Sequence, residues 1–546
     1  MDWRWVFQWI PCAWVFPSLQ PPQKRREHGL AAPLLDGADD ENVLHALGEI
    51  KVPLTKEQLQ QLHYATRSHQ TELMTIAAQF LAHYADVLPM SSPVTVEALE
   101  CALALMDLDT IEVLIPASSA VSVMSSNGDD NVRENLAKRS VIRLAVRLLR
   151  SPSNPVVVNA LAILTTYAGA ADKYKMSIVR DGALNPLCEL AFNEDTRIQK
   201  GAGGAILNLS HIDTHCEQLL ICGVCASLHH FLVSADPHLQ FYAAATLSNL
   251  SIQVEDPSGL VNDEGLQCLV NLLNSTERLI QQSCIALRNL ASQSAMQYRI
   301  TNCEVLEPLY PLLRHHDPNI QTAALSLLHN LSILEENEAK VINMGYVPEL
   351  TLVVRQWQIP EGQRHAAATL RNLATPEHIS TLVTSGVVEV LVGVVGNAKT
   401  LQPVLHEVTA VLAVLSRDPE AQSRLLMQLP AVSIMMQLLA RYIRARQDLK
   451  LVFYSLGVIG GVSSNGTLRD VIVQNTDIVS QITHYITPDT PSDLIKVVLW
   501  TTDLLYAHPT INGGVKNEML ASVTHLKAHA SDHDVIGACE DLLAPS

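Results

Sequence analysis

Five times between Gly201 and Ala374 a run of small and aliphatic residues closes on Asn-Leu-Ser or Asn-Leu-Ala, as AILNLS, ATLSNLS, ALRNLA, LLHNLS and ATLRNLA. The asparagines are Asn208, Asn249, Asn289, Asn330 and Asn372, so the intervals are 41, 40, 41 and 42 residues. A period this regular means one supersecondary unit repeated along the chain, each copy burying its apolar face against its neighbours. Gly182, Gly223, Gly265, Gly345 and Gly386 keep the same beat between apolar runs, and Cys303 holds the place of a sixth. Asp236-Pro237 and Asp317-Pro318 supply a second kind of break, because the residue before proline is pushed out of helical geometry. Each unit reads as helix, glycine break, helix, polar turn, then a small-residue helix that ends in the Asn phrase.

Three helices in about 41 residues match the armadillo repeat rather than the shorter two-helix repeats. The expected fold is all-α, a right-handed superhelical solenoid of such units. Segments LQFYAAATLSNLS (239–251), CIALRNLASQS (284–294) and AATLRNLA (367–374) resemble repeats of the fungal vacuolar armadillo scaffolds, and APLLDGADDENVLHAL (32–47) is similar to the acidic helix ahead of their first repeat.

The layout along the chain follows from where the rhythm is strong. Residues 1–29 form an aromatic, then Pro-rich and basic tail, holding four of the six tryptophans and then Lys24, Arg25 and Arg26. Broken by Pro11, its apolar stretch is too short to span a bilayer, which takes about 20 apolar residues. Three readings stay open for it: a misassigned or unstructured segment, an aromatic anchor at the membrane interface, or a secretory signal. The resembling scaffolds begin Met-Gly followed by cysteines, whereas this chain has Asp2 and one early cysteine, Cys12, the candidate lipidation site. Residues 30–130 read as degenerate repeats forming an N-terminal cap. Residues 131–546 are the array proper, best matched over 180–395 and divergent from about 420, where LVFYSLGVIGGVS and LIKVVLWTTDLLYAH suggest further helices with Trp500 and Tyr506 closing the core.

Composition narrows the function. The chain has 55 acidic and 37 basic residues, a net charge of -18, which repels a phosphate backbone and makes nucleic acid a poor partner. Ten unpatterned cysteines in 546 residues give no disulfide framework, so a reducing compartment is the default.

Third helices of stacked repeats line a groove, and a side-chain amide presents both donors and an acceptor to an extended peptide backbone. Asn208, Asn249, Asn289, Asn330 and Asn372 are therefore the candidate ladder. The residue before each is Leu207, Ser248, Arg288, His329 and Arg371. Arg288, His329 and Arg371 make a cationic strip suited to a carboxylate-bearing segment, with His329 expected to titrate near its ordinary range. The resemblance implies arginine at all three places, so His329 departs. A plainer alternative is that the asparagines bond the neighbouring repeat and the arginines pair with surface acids. Four residues ahead of the ladder stand Gly204, Ala245, Ile285, Ser326 and Ala368, not the tryptophans with which nuclear-import adaptors stack on lysine.

Nothing in the sequence assembles an active site. Cys222-Gly-Val-Cys225 is a lone pair with His215, His229 and His230 nearby, and GAGGA (201–205) lacks the Lys-Ser/Thr of a phosphate loop. No metal, cofactor or small-molecule substrate is expected. By resemblance the chain is a non-enzymatic adaptor at the cytosolic face of the vacuolar membrane, peripherally bound. It would recruit proteins with extended segments for vacuole inheritance and fusion, organelle contact and autophagy-related targeting. The alternative is a soluble catenin-like or GTPase-regulating armadillo protein of the cytoplasm or nucleus.

Overall fold

The computed structural model describes Leu47 and residues 54–85, 93–356, 359–475, 477–506, 508, 509, 511 and 513–544. The tail 1–29 with Cys12, and the acidic stretch up to residue 46, lie outside them. The described residues are helical without a strand, and the chain divides into two compact units, Met1–Leu269 and Val270–Ser546.

Within each unit the third helices of the repeats pack side by side in chain order. In the first unit the row is α1 (Thr71–Ala85), α2 (Ile111–Asn127), α3 (Asn154–Ala170), α4 (Thr196–Leu209) and α5 (Pro237–Gln253). In the second it is α6 (Glu277–Leu290), α7 (Pro318–Leu331), α8 (Pro360–Leu373), α9 (Gln402–Leu415), α10 (Leu449–Ser463), α11 (Ser492–Tyr506) and α12 (His533–Leu543). The Ala-rich stretches let these rows approach closely, and the leucines facing the other two helices of each repeat are buried.

Local chemistry sets the helix ends. Asp236 and Asp317 cap α5 and α7 by accepting from the N–H of His238 and Asn319, and the following prolines take the first helical position, where no N–H is needed. A glutamine nine residues ahead of the ladder asparagine hooks back to a carbonyl of the preceding segment, as Gln199 to Asn193, Gln240 to Ser234, Gln321 to Leu313 and Gln363 to Val354.

At the glycine breaks, Gly182, Gly223, Gly345 and Gly386 adopt φ of +78° to +87°, the left-handed region in which a side chain is costly. Gly265 differs: it sits inside the helix Asp263–Asn271. Where the rhythm pointed to Cys303, the left-handed residue is its neighbour Glu304, at φ 58°. The glycines of GAGGA lie mid-helix, and added methyls at Gly201 and Gly203 would press on Leu161 and on Tyr242 and Phe231. They are packing glycines. In the last repeats Trp500 and Tyr506 are half-buried rather than closing the core; the indole lies against Gly460 with the Arg417 guanidinium 4.6 Å from its ring centre. No single described helix is long and apolar enough to cross a membrane.

Candidate partner-binding groove

The ladder asparagines sit near the C-terminal ends of their helices, all five half-buried. Two belong to the first unit and three to the second. An α-helix leaves its last four carbonyls without an intrahelical partner, and the Asn phrase answers that deficit across the repeat boundary.

In α4 the Ser210 hydroxyl donates to the Leu207 carbonyl, 2.8 Å, and accepts from Asn249 Nδ2 of the next repeat, 2.9 Å. In α7 the Ser332 hydroxyl donates to the His329 carbonyl, 2.8 Å, and accepts from Asn372 Nδ2, 3.0 Å. In α6 the phrase reads Asn-Leu-Ala, and with no hydroxyl at 291 the relay shortens: Asn330 Nδ2 donates straight to the Arg288 carbonyl, 2.8 Å. The amide nitrogens of Asn249, Asn330 and Asn372 are thus committed at least once inside their own unit. The Asn208 side-chain amide has no hydrogen-bond partner among the described residues. At the equivalent places where asparagine is missing, Tyr167 is fully buried with its hydroxyl on the Arg133 carbonyl, 3.0 Å, and Val414 is 36% exposed.

The three residues expected to form a cationic strip lie on adjacent helices but differ in their surroundings. Arg288 is half-buried, and burial pulls its pKa below the usual guanidinium value. Its Nε and Nη2 donate to Asn289 Oδ1 at 2.9 and 2.6 Å, and no carboxylate among the described residues pairs with it. His329 lies 5.6 Å, ring centre to ring centre, from His365 on α8. Burial, with Arg371 and Arg364 nearby, pushes the His329 pKa down to about 4, which removes the titration expected near neutrality. Arg371 is not free: it forms an ion pair with Glu407 of α9, whose side chain is only 12% exposed. The strip is therefore one open guanidinium, one neutral imidazole and one neutralised guanidinium.

Arg364 and His365, one helix turn and more before Arg371, were not singled out by the ladder period. Arg364 donates to His365 Nε2, 3.0 Å, so the neutral ring carries its proton on Nδ1, which is buried without a partner. Burial drives the His365 pKa strongly down. On α9 and α10, His406 pairs with Asp448, which also accepts from Gln402, so acidic groups follow the cationic ones along the row.

The cysteine pair makes no metal cluster among the described residues. Cys222 and Cys225 are thiols whose pKa values burial raises, His229 pairs with Glu264, and His230 packs on Phe192. Glu277, His315 and His316 bring ligand atoms within 4.8 Å of one another. Yet His315 Nδ1 accepts the Asp317 N–H, which holds the proton on Nε2, whereas a ligating imidazole donates its second N–H outward. A cleft of about 660 Å³ beside these histidines is bordered by Arg314, Glu349 and Leu352, apart from the ladder.

The model of the armadillo/beta-catenin-like repeat matches residues 171–211 and 298–333. Vacuolar protein 8 of Schizosaccharomyces pombe is 31% identical over 164 residues, covering 30% of each chain. Vacuolar protein 8 of Candida albicans is 32% identical over 160 residues, 29% of this chain and 27% of that protein. The match thus spans under a third of these relatives' length. U-box domain-containing protein 18 of Arabidopsis thaliana is 25% identical over 238 residues, 42% of this chain and 34% of that protein. Among solved structures, one from work on a phosphorylation switch between cadherin and beta-catenin superposes with a TM-score of 0.76 at 14% identity, covering 89% of this chain and 98% of that one. An engineered protein gives a TM-score of 0.63 at 24% identity, covering 75% and 99%. The fold is that of the armadillo-repeat proteins, and the sequence is similar to vacuolar protein 8.

Proposed function

We propose that this chain is a non-catalytic adaptor that holds an extended segment of a partner protein along the row α6 to α8. The observation that carries the reading is Arg288, a half-buried guanidinium with no carboxylate partner among the described residues, beside the ladder residues Asn289 and Asn330. Burying a charge without a counter-charge is unfavourable, so the site gains most from a ligand that brings one. The amide oxygen of Asn330 supplies an acceptor for the ligand's backbone, and Asn372 and His329 extend the same edge; Asn208 and Asn249 offer the corresponding contacts in the first unit. Similarity to vacuolar protein 8 supports work at the cytosolic face of the vacuolar membrane, in vacuole inheritance and fusion, organelle contact and autophagy-related targeting.

Arg288→Glu replaces the open cation with an anion at a half-exposed position. It should abolish co-purification of groove-bound partners with tagged protein while the melting temperature stays within a few degrees of wild type. Unchanged partner recovery by a folded Arg288→Glu protein overturns the groove reading. Fractionation tests the location separately: sedimentation of the tagged chain with cytosol alone overturns the vacuolar assignment in favour of a soluble, catenin-like role.

A further inference from the structure

In two successive repeats of the second unit, the residue before the ladder asparagine meets the residue seven positions ahead of the next repeat's ladder position. His329 on α7 meets His365 on α8, and Arg371 on α8 meets Glu407 on α9. In the same register Arg288 on α6 is matched by Ala323 on α7, whose methyl side chain offers no hydrogen-bonding atom. That single substitution pattern explains why one guanidinium is open and the other closed.

Resting on the groove reading above, we infer that Glu407 stands in for a ligand carboxylate at Arg371. The chain thus reads one acidic residue of its partner, at Arg288, and excludes a second by an intramolecular contact. Glu407, its side chain 12% exposed, already occupies Arg371 from α9, so a ligand carboxylate must displace a preorganised neighbour to reach that guanidinium, whereas at Arg288 it displaces a side-chain amide. The favoured ligand is an extended peptide segment with one Asp or Glu seated at Arg288 and uncharged residues over His329 and His365. Those two imidazoles are neutral, and the arginines beside them, Arg364 and Arg371, are already paired with Glu361 and Glu407, so this stretch offers a charged ligand residue no free counter-charge.

The test selects a random twelve-residue displayed peptide library on the full chain, then measures synthetic, fluorescein-labelled winners by anisotropy. On wild type, winners should carry a conserved acidic residue. Arg288→Gln should weaken them at least about tenfold, the worth of one charge-assisted hydrogen bond, and Arg371→Gln less than about threefold. Glu407→Gln should select peptides with a second acid about six residues from the first, since repeats stand roughly 10 Å apart and an extended chain advances about 3.3 Å per residue. Ala323→Glu, which installs on α7 the residue α9 already carries, should lose the wild-type winners while its thermal melt shows a folded protein. Failure of the library to yield any binder overturns the groove reading itself. Binders that respond equally to Arg288→Gln and Arg371→Gln, or a Glu407→Gln selection identical to wild type, overturn the stand-in role and leave the groove intact.

Discussion

Asn330→Ala isolates what the ladder contributes to the fold before any ligand arrives. The substitution removes the Nδ2 bond to the Arg288 carbonyl, 2.8 Å, and leaves that carbonyl, one of the four orphaned at the end of α6, without a protein partner. A lost hydrogen bond costs about 1 kcal/mol, and an unsatisfied carbonyl adds up to about 1 kcal/mol more where water reaches it poorly. Alanine's better helix propensity returns about 0.5 kcal/mol. Asn372→Ala has the same propensity gain and loses a comparable bond, but the Ser332 hydroxyl still satisfies the His329 carbonyl. The two variants should therefore differ by about 1 kcal/mol, with Asn330→Ala the less stable, or roughly 2–4 °C in melting temperature for a unit of this size. Circular dichroism at 222 nm under heat and urea measures both. Ala291→Ser supplies the missing hydroxyl in a place where Ser210 and Ser332 are equally buried, and it should recover part of the Asn330→Ala loss. If Asn330→Ala costs no more than Asn372→Ala, or Ala291→Ser gives nothing back, the hydroxyl relay is not what the Asn-Leu-Ser phrase encodes.

Two further outcomes follow from the second unit. An added methyl at Gly461 would fall 2.1 Å from Ser416 Oγ and 3.2 Å from the Ser416 backbone carbon, so Gly461→Ala should destabilise by about 1–3 kcal/mol, whereas Gly457→Ala, with 3.1 Å to the Ala413 methyl, should cost less; urea midpoints of the two variants check the order. Because burial holds the His329 pKa at about 4, below the unfolded value near 6.5, the unfolded chain binds the extra proton first; the stability this residue contributes is complete above about pH 6.5 and is lost as pH falls toward 4. Ring-proton NMR, with His329→Gln to assign the signal, should give a midpoint well below 6, and a midpoint between 6 and 7 contradicts the burial argument.

The architecture was legible because it rests on repetition. Small residues, asparagines and glycines recur at a fixed interval only if each copy meets the same neighbour, so the row of third helices could be placed from spacing alone. The exceptions were local. Gly265 keeps the sequence beat yet is absorbed into a helix, while Glu304 takes the left-handed conformation that the beat assigned to Cys303. Backbone conformation at a break is decided by how the flanking helices dock, and a non-glycine residue is tolerated there at a cost of about 1–2 kcal/mol when packing demands it.

The candidate site was harder to read for a different reason. Period identifies which residues of successive repeats occupy equivalent places, not which unlike places touch. Arg371 stands in an acidic chain, so some acid nearby was expected, but the one that closes on it lies 36 residues further along, on a helix without the Asn phrase. Arg288 has the same identity and the same position in its repeat, and Ala323 leaves it open. A cation's availability in such a row is thus a property of the adjacent repeat. Two chains with identical arginine ladders will read different ligands whenever the residues seven places ahead of the ladder differ, and exchanging Ala323 and Glu407 should move the open site from α6 to α8 without altering any ladder residue.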